Sequence, residues 1–419
     1  MRILVLAALY PPDSRGGSEN SAANLTRWLA RQGHEMAVLT SAGSREEELH
    51  GVEIDGVRFW RLRTPHLYPA REAPTAPGWK KPIWHLQDHV DPGNRRLVAS
   101  VLDQFKPDFV NIHFIQGLGY NGLAEIASRG TPTLFVLHDL GLACMRMSMF
   151  RQGENCGRRC VGCRLSSRYK AALIERFERI GFCSPSRANL ATLSGLFPIA
   201  DYPHTSIPNP NLYAPVTTKR AASDRLRLLY VGRLHRSKGV ELLIDAAAEL
   251  ARTHRFSLAI VGDGPEGERL RGRYAGADWL RFRGHVSEEE VGRFMHDADL
   301  LCLPSLWQEN WPGVAVRALE MGLPVLGSRI GGVPELIEAG VTGDLVAPGD
   351  PAAWGAALER VLADPTKLEG WRRNAEARRG RFDQDLLGAR MLAFMSIIAG
   401  FQLSAPGQAG PVEVGEARI

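Results

Sequence analysis

The chain has 419 residues, too many for one ordinary domain, and its 44% apolar and 23% charged residues are those of a globular protein with real cores. A net charge of +5 excludes the dense basic surface of a nucleic-acid binder and suits an anionic small ligand or a passing contact with acidic lipid headgroups. No apolar run approaches the ~18 residues that span a bilayer. The opening Met1 to Tyr10 stretch runs into Pro11-Pro12 without a cleavage pattern, so it reads as a buried strand, which predicts a cytoplasmic protein.

Residues 3–9 are continuously apolar, as in a strand covered on both faces of a parallel sheet. A loop with Gly16-Gly17 follows, then a helical pattern through Ala22, Leu25, Trp28 and Leu29 that stops at Gly33, then a strand over 36–39. Strands are predicted at 109–112, 133–137 and 180–183, with helices near 95–105 and 119–128 between them. Residues 64–92 hold six prolines and read as an irregular surface insertion. The pattern breaks over 203–225, a Pro-rich and then polar stretch that reads as an interdomain linker. A second alternating series begins at 226, with strands at 226–231, 256–261, 280–282, 300–303 and 324–326. Helices are expected at 239–252, 265–273, 287–297 and 313–321; 365–400 reads as helical throughout and 403–419 as a disordered tail. The fold class is α/β, two Rossmann-like doubly wound domains facing across a cleft, where ligands bind at the carboxyl ends of strands. Their bounds are 1–214, with a Cys-rich insertion at 144–165, and 215–382; a final helix at about 383–400 is expected to pack back on the first domain.

Two stretches carry the chemistry. In Tyr230 to Gly239, Gly232 ends a strand and Arg233 and Lys238 bracket a helix start, two cations beside a positive helix end, a seat for a diphosphate. A solvated basic loop is the plainer account of the same residues. In Pro304 to Val325, Glu309 follows a strand and Pro312-Gly313 open a helix. Free N–H groups near Gly313 and Val314 could hold a phosphate oxygen, and Glu309 could accept from sugar hydroxyls or simply complement the helix end. His138, followed by Asp139, ends another strand where such sheets bind ligands; His113 ends the strand before it and reads as a supporting residue.

These stretches, with the Pro11 to Glu19 loop, Asp108 to His113, Leu137 to Asp139, residues 260–266 and Gly331-Gly332-Val333-Pro334-Glu335, come in an order that resembles glycosyltransferase family 4, retaining enzymes of the GT-B fold. The resemblance spans nearly the whole chain except 64–92 and the tail. It implies that Gly16 and Gly17 approach the donor phosphate or the acceptor, and that His138, with Asp139 beside it, sits over the reaction centre. It further implies that Arg233 and Lys238 neutralise the departing diphosphate, that Glu309 holds sugar hydroxyls, and that Gly331 to Glu335 line the donor side. Gly232, Asn310, Trp311, Gly313 and Val314 belong to the same donor-binding set. The family's second glutamate, eight residues after the first, is here Arg317, with Glu320 one turn on; the two could pair, Glu320 could replace the missing acceptor, or ribose recognition is weakened.

The implied activity is sugar transfer from a UDP-, GDP- or ADP-sugar to an unknown glycan, lipid-linked or small-molecule acceptor, with no cofactor required for the chemistry. The setting it implies is bacterial polysaccharide or glycoconjugate biosynthesis, in the cytoplasm or peripherally at the inner membrane face. A hydrolysing nucleotide-sugar epimerase and a catalytically weakened binding or scaffold protein are the rival readings. Cys144, Cys156, Cys160 and Cys163 fall within twenty residues, the last three spaced as in zinc thiolates, so a structural zinc is expected there, with free thiols or disulfides as the alternatives.

Overall fold

The computed structural model describes residues 1–13, 16–73, 75–211, 213 and 223–403. The tail expected from 403 lies outside them from residue 404 on, as does the polar part of the linker from Thr217 to Ala222. The chain forms two compact units: Met1–Ser148 with Arg158–Asn211 and Asp383–Ile419, and Met149–Gly157 with Leu212–Phe382.

The strands in chain order are β1 (Arg2–Ala7), β2 (Glu35–Ser41), β3 (Leu49–Ile54), β4 (Val57–Leu62), β5 (Phe109–Phe114), β6 (Thr133–Val136), β7 (Phe150–Arg151), β8 (Glu154–Asn155), β9 (Ile180–Ser184) and β10 (His204–Ser206). The first unit's helices are α1 (Gly17–Arg31), α2 (Lys80–Val90), α3 (Pro92–Phe105), α4 (Gly122–Ser128), α5 (Val161–Ile174) and α6 (Arg187–Ser194). Its sheet runs β10-β9-β6-β5-β1-β2-β4-β3. All pairs are parallel except the edge hairpin β3–β4. That hairpin turns at Asp55-Gly56, both at positive φ, the two-residue turn whose twist matches its strands. β1 is central, and Ile3 to Leu6 are fully buried, which is why it reads as an uninterrupted apolar run. Asp91 caps α3 by accepting from the Gly93 N–H (2.8 Å), with Pro92 in the first turn.

The second unit holds β11 (Leu226–Val231), β12 (Phe256–Val261), β13 (Leu280–Gly284), β14 (Leu300–Leu303), β15 (Val325–Ser328) and β16 (Gly343–Val346). They form an all-parallel sheet in the order β13-β12-β11-β14-β15-β16. Around it lie α7 (Val240–Leu250), α8 (Gly267–Arg273), α9 (Glu288–Asp297), α10 (Gly313–Glu320), α11 (Val333–Leu336), α12 (Pro351–Ala363) and α13 (Thr366–Glu376). The core packs α7 and α12 on the sheet around Trp354, itself 0% exposed. The last helix, α14 (Gln384–Ala399), belongs to the first unit and packs on α1. There the Trp28 indole donates to Asp385 (2.7 Å), and a Cβ on Gly388 would lie 2.5 Å from the Trp28 ring.

Three local expectations are corrected. Residues 64–92 are not irregular throughout: they contain α2, with Pro82 placed in its first turn where its missing N–H costs nothing. Residues 365–400 are two helices, because Arg378 to Asp383 break the run before Asp383 caps α14. The Cys-rich segment is not a bare loop either: it carries the β7–β8 hairpin and the start of α5.

Candidate active site

Both sheets reverse their strand order at one place, β1/β5 in the first unit and β11/β14 in the second; the Gly16, His113, Lys238 and Glu309 segments leave the sheets there, and the His138 and Gly331 loops leave the adjacent strands β6 and β15. In the second unit the two loops are tied together. The Leu306 N–H donates to the Ser237 carbonyl (2.8 Å), and Gly239, at φ +65, would put a Cβ 2.0 Å from the Pro304 carbonyl. This brings Lys238 to Glu309, Nζ to Oε1, at 2.7 Å. The Ser305 hydroxyl donates to the same oxygen (2.6 Å), and the Lys238 ammonium lies 4.8 Å from the Trp307 ring centre. Glu309 is 5% exposed. Burial alone would raise its pKa, but the Lys238 charge and the Lys238 and Ser305 hydrogen bonds outweigh that and hold it below the usual carboxylate range. Arg233 is exposed on the loop after β11, next to Gly232.

Gly331, at φ +56, would put a Cβ 2.1 Å from the Glu309 carbonyl, and the Gly332 N–H donates to that carbonyl (2.8 Å). The glycine pair thus clamps the backbone of the Glu309 loop. Asn310 and Trp311 follow on that loop, the Trp311 ring set edge-on to Phe382. α10 begins after Pro312 without a side-chain cap, and among the described residues the N–H groups of Gly313 and Val314 have no partner. Arg317 is 4% exposed and does not pair with Glu320. Its guanidinium donates to the Glu288 carboxylate (2.8 Å) and carbonyl (2.9 Å) and lies over the Tyr213 ring (5.3 Å). Glu320 instead accepts from the Gly380 N–H (3.2 Å).

In the first unit, β5 and β6 deliver His113 and His138 side by side, Nδ1 of His113 lying 2.8 Å from Nε2 of His138. The Asn111 amide donates to His113 Nε2 (3.0 Å), which leaves the proton of a neutral His113 on Nδ1 and makes it the donor to His138. His138 then carries its own proton on Nδ1. The arrangement leaves Asn111 Oδ1 buried without a partner among the described residues; the reversed amide would orphan an NH2 there, the costlier defect. Burial lowers His138 to a pKa of about 4 and, with the His138 neighbour, pushes His113 well below the usual imidazole range. Asp139 accepts from the Gly141 N–H (2.6 Å), and burial raises its pKa to about 6. Lys170 of α5, 1% exposed, donates to the Gly141 carbonyl (2.7 Å) and sits over the Tyr120 ring (4.0 Å), so it braces the same turn. Gly16 and Gly17 begin α1; among the described residues a Cβ on Gly17 would meet nothing within 4 Å, and one on Gly16 would meet Glu19 Oε2 at 3.6 Å.

The reading of the sequence missed Ser305, Asn111 and Lys170. The first two are polar residues beside recognised ones and could have been reached by asking what orients Glu309 and His113. Lys170 had no signal, since nothing local marks it as buried.

The expected four-thiolate zinc is not assembled. Cys144 and Cys163 lie with their sulfurs 3.9 Å apart, and the exposed Cys160 hydrogen-bonds to Cys163. Cys156 follows the β7–β8 hairpin, which belongs to the second unit, where Asn155 donates to the Leu306 carbonyl (2.8 Å). Among the described residues no group of three or more His, Cys, Asp or Glu has the arrangement to hold a metal ion.

Known proteins resemble both halves. Residues 16–199 match the glycosyl transferase 4-like domain and residues 225–364 the glycosyl transferases group 1. The chain is 29% identical to the glycogen synthase of Mycobacterium tuberculosis over 92% of its own length and 91% of that protein's. Among solved structures, sucrose-phosphate synthase from Thermosynechococcus elongatus superposes with a TM-score of 0.77 at 21% identity, covering 95% of this chain and 99% of that one. Anabaena HepE in complex with UDP-glucose gives 0.64 at 19%, covering 95% and 100%. The fold is that of a GT-B glycosyltransferase. The chain belongs to the family that joins a glycosyl transferase 4-like domain to a group 1 domain.

Proposed function

We propose that the protein transfers a sugar, with retention at the anomeric carbon, from a nucleoside-diphosphate sugar to an acceptor hydroxyl. The observation that carries this reading is the Lys238–Glu309 pair, a cation and a carboxylate held 2.7 Å apart where the strand order reverses, beside the uncapped start of α10. Such a pair presents complementary groups to a ligand that is anionic at one end and hydroxylated at the other. Lys238, Arg233 and the Gly313 and Val314 N–H groups would stabilise charge building on the departing diphosphate, and further lone pairs of Glu309 would accept from sugar hydroxyls. His138, a neutral imidazole with its proton on Nδ1, would donate a hydrogen bond to the sugar. The bond between the anomeric carbon and the diphosphate oxygen breaks, the acceptor oxygen forms the new bond on the same face, and its proton passes to the departing phosphate. A relative named as a glycogen synthase and a neighbour solved with UDP-glucose support a UDP-sugar donor.

The test is turnover and product stereochemistry across UDP-, ADP- and GDP-sugars, with Lys238→Ala, Glu309→Ala and the double variant. Each single change is expected to lower kcat about 10²–10³-fold, and the double change by far less than the product, because each group orients the other. An inverted product would sink the retaining mechanism. The weakened-scaffold reading rests on Arg317, whose side chain is committed to Glu288 and Tyr213. It predicts nucleotide binding, seen as a thermal shift, without turnover of any donor.

A further inference from the structure

Two helices of the first unit turn apolar side chains outward. On α2, Ile83, Leu86 and Val90, with Trp79 just before its first residue, are 47%, 62%, 49% and 69% exposed. At 3.6 residues per turn they fall within about 60° of one another. The face that anchors the helix holds Trp84 and the fully buried Asp88. α5 repeats the pattern. Val161 and Leu165, 62% and 60% exposed, share a side with the exposed Arg164 and Arg168, while Ser166, Ser167 and Lys170 point inward. The helices adjoin: the Tyr169 hydroxyl donates to the His89 carbonyl (2.6 Å), and His89 Nε2 lies 2.7 Å from Ser166 Oγ.

The charges on these helices are of one sign. Lys80, Lys81, Arg164 and Arg168 are cations, and the lone carboxylate on either helix, Asp88, is buried. We infer that α2 and the first half of α5 form a docking face for the surface of an anionic lipid bilayer. Apolar side chains with tryptophan enter the headgroup–acyl boundary while lysines and arginines meet phosphates, the division of labour of a helix lying in the membrane plane. Among the described residues no helix is long and apolar enough to cross a membrane. A second copy is a poor occupant, because a two-fold contact would bring four cations of each chain against the same four. Each cation near an anionic surface strengthens partitioning about fivefold.

The experiment is flotation of the full-length protein with vesicles of phosphatidylcholine alone and of phosphatidylcholine mixed with phosphatidylglycerol. Binding is expected to the mixed vesicles, weakly to the neutral ones, and to fall as salt rises. Lys80→Glu/Lys81→Glu is expected to weaken it by more than about 25-fold. Trp79→Ser/Leu86→Ser is expected to weaken it by about tenfold or more with an unchanged unfolding midpoint, since both side chains already face solvent. Absence of flotation with anionic vesicles, or flotation that neither double variant changes, overturns the inference. So does a dimer in sedimentation velocity that Trp79→Ser/Leu86→Ser dissociates, which would give the face to a second copy.

Discussion

Asn111 is fully buried, yet it decides which hydrogen-bonding group His138 offers. Its amide donates to His113, His113 donates to His138, and His138 is left with a proton on Nδ1. Asn111→Asp replaces the donor with an acceptor, moves the His113 proton to Nε2 and turns His138 into an acceptor at Nδ1. We expect about a 10²–10⁴-fold fall in kcat with nucleotide affinity, measured by titration calorimetry, nearly unchanged, as for other wrong-tautomer substitutions. The two rings also set a pH dependence. Both have folded-state pKa values below the 6.5 of the free side chain, so the unfolded chain binds more protons between those values. The contribution of His138, up to about 3 kcal/mol, is complete above pH 6.5 and is lost as pH falls toward about 4, and that of His113 falls in the same direction. Urea unfolding at pH 7 and pH 5 should show that slope, and His138→Gln should flatten it.

At the scale of elements, the two glycine pairs look alike in sequence and do opposite work. Gly331 sits at φ +56 against the Glu309 carbonyl, so Gly331→Ala should cost about 2 kcal/mol or more in chemical unfolding and loosen the Glu309 loop. Among the described residues nothing lies within 4 Å of a Cβ on Gly17, so Gly17→Ala should leave stability intact or slightly higher while lowering donor turnover, if a ligand fills that space. The same contrast explains what the sequence made legible. Strands buried on both faces, such as β1 and β14, announce themselves as apolar runs, and His138, Lys238 and Glu309 follow as the residues at their ends. α2 was hidden because its periodicity is inverted: the stripe that marks a helix face points outward, its anchoring face contains Asp88 and His89, and prolines surround it. The partners that orient the site were hidden too, since the side-chain contacts of Arg317 to Glu288 or Lys170 to Gly141 span 29 residues each.

At the scale of the molecule, the second unit is built almost wholly from an insertion within the first, Leu212–Phe382, with the short Met149–Gly157 segment added from upstream. The first unit is closed by α14, which supplies the carboxylate for the Trp28 indole, the amide for Arg31 and, at Gly388, the hollow that receives the Trp28 ring. Deleting residues 383–419 should abolish the first unit's calorimetric unfolding transition while the second unit keeps its own. During synthesis the consequence is one of timing. A ribosome that has finished the eight-stranded sheet must still translate Leu212–Phe382 before α14 emerges, roughly ten seconds or more at ordinary elongation rates. Over that interval the second unit can complete its core first, so the half that begins the chain is the half that finishes folding last, with the α1 face around Trp28 exposed to chaperones until the final helix arrives.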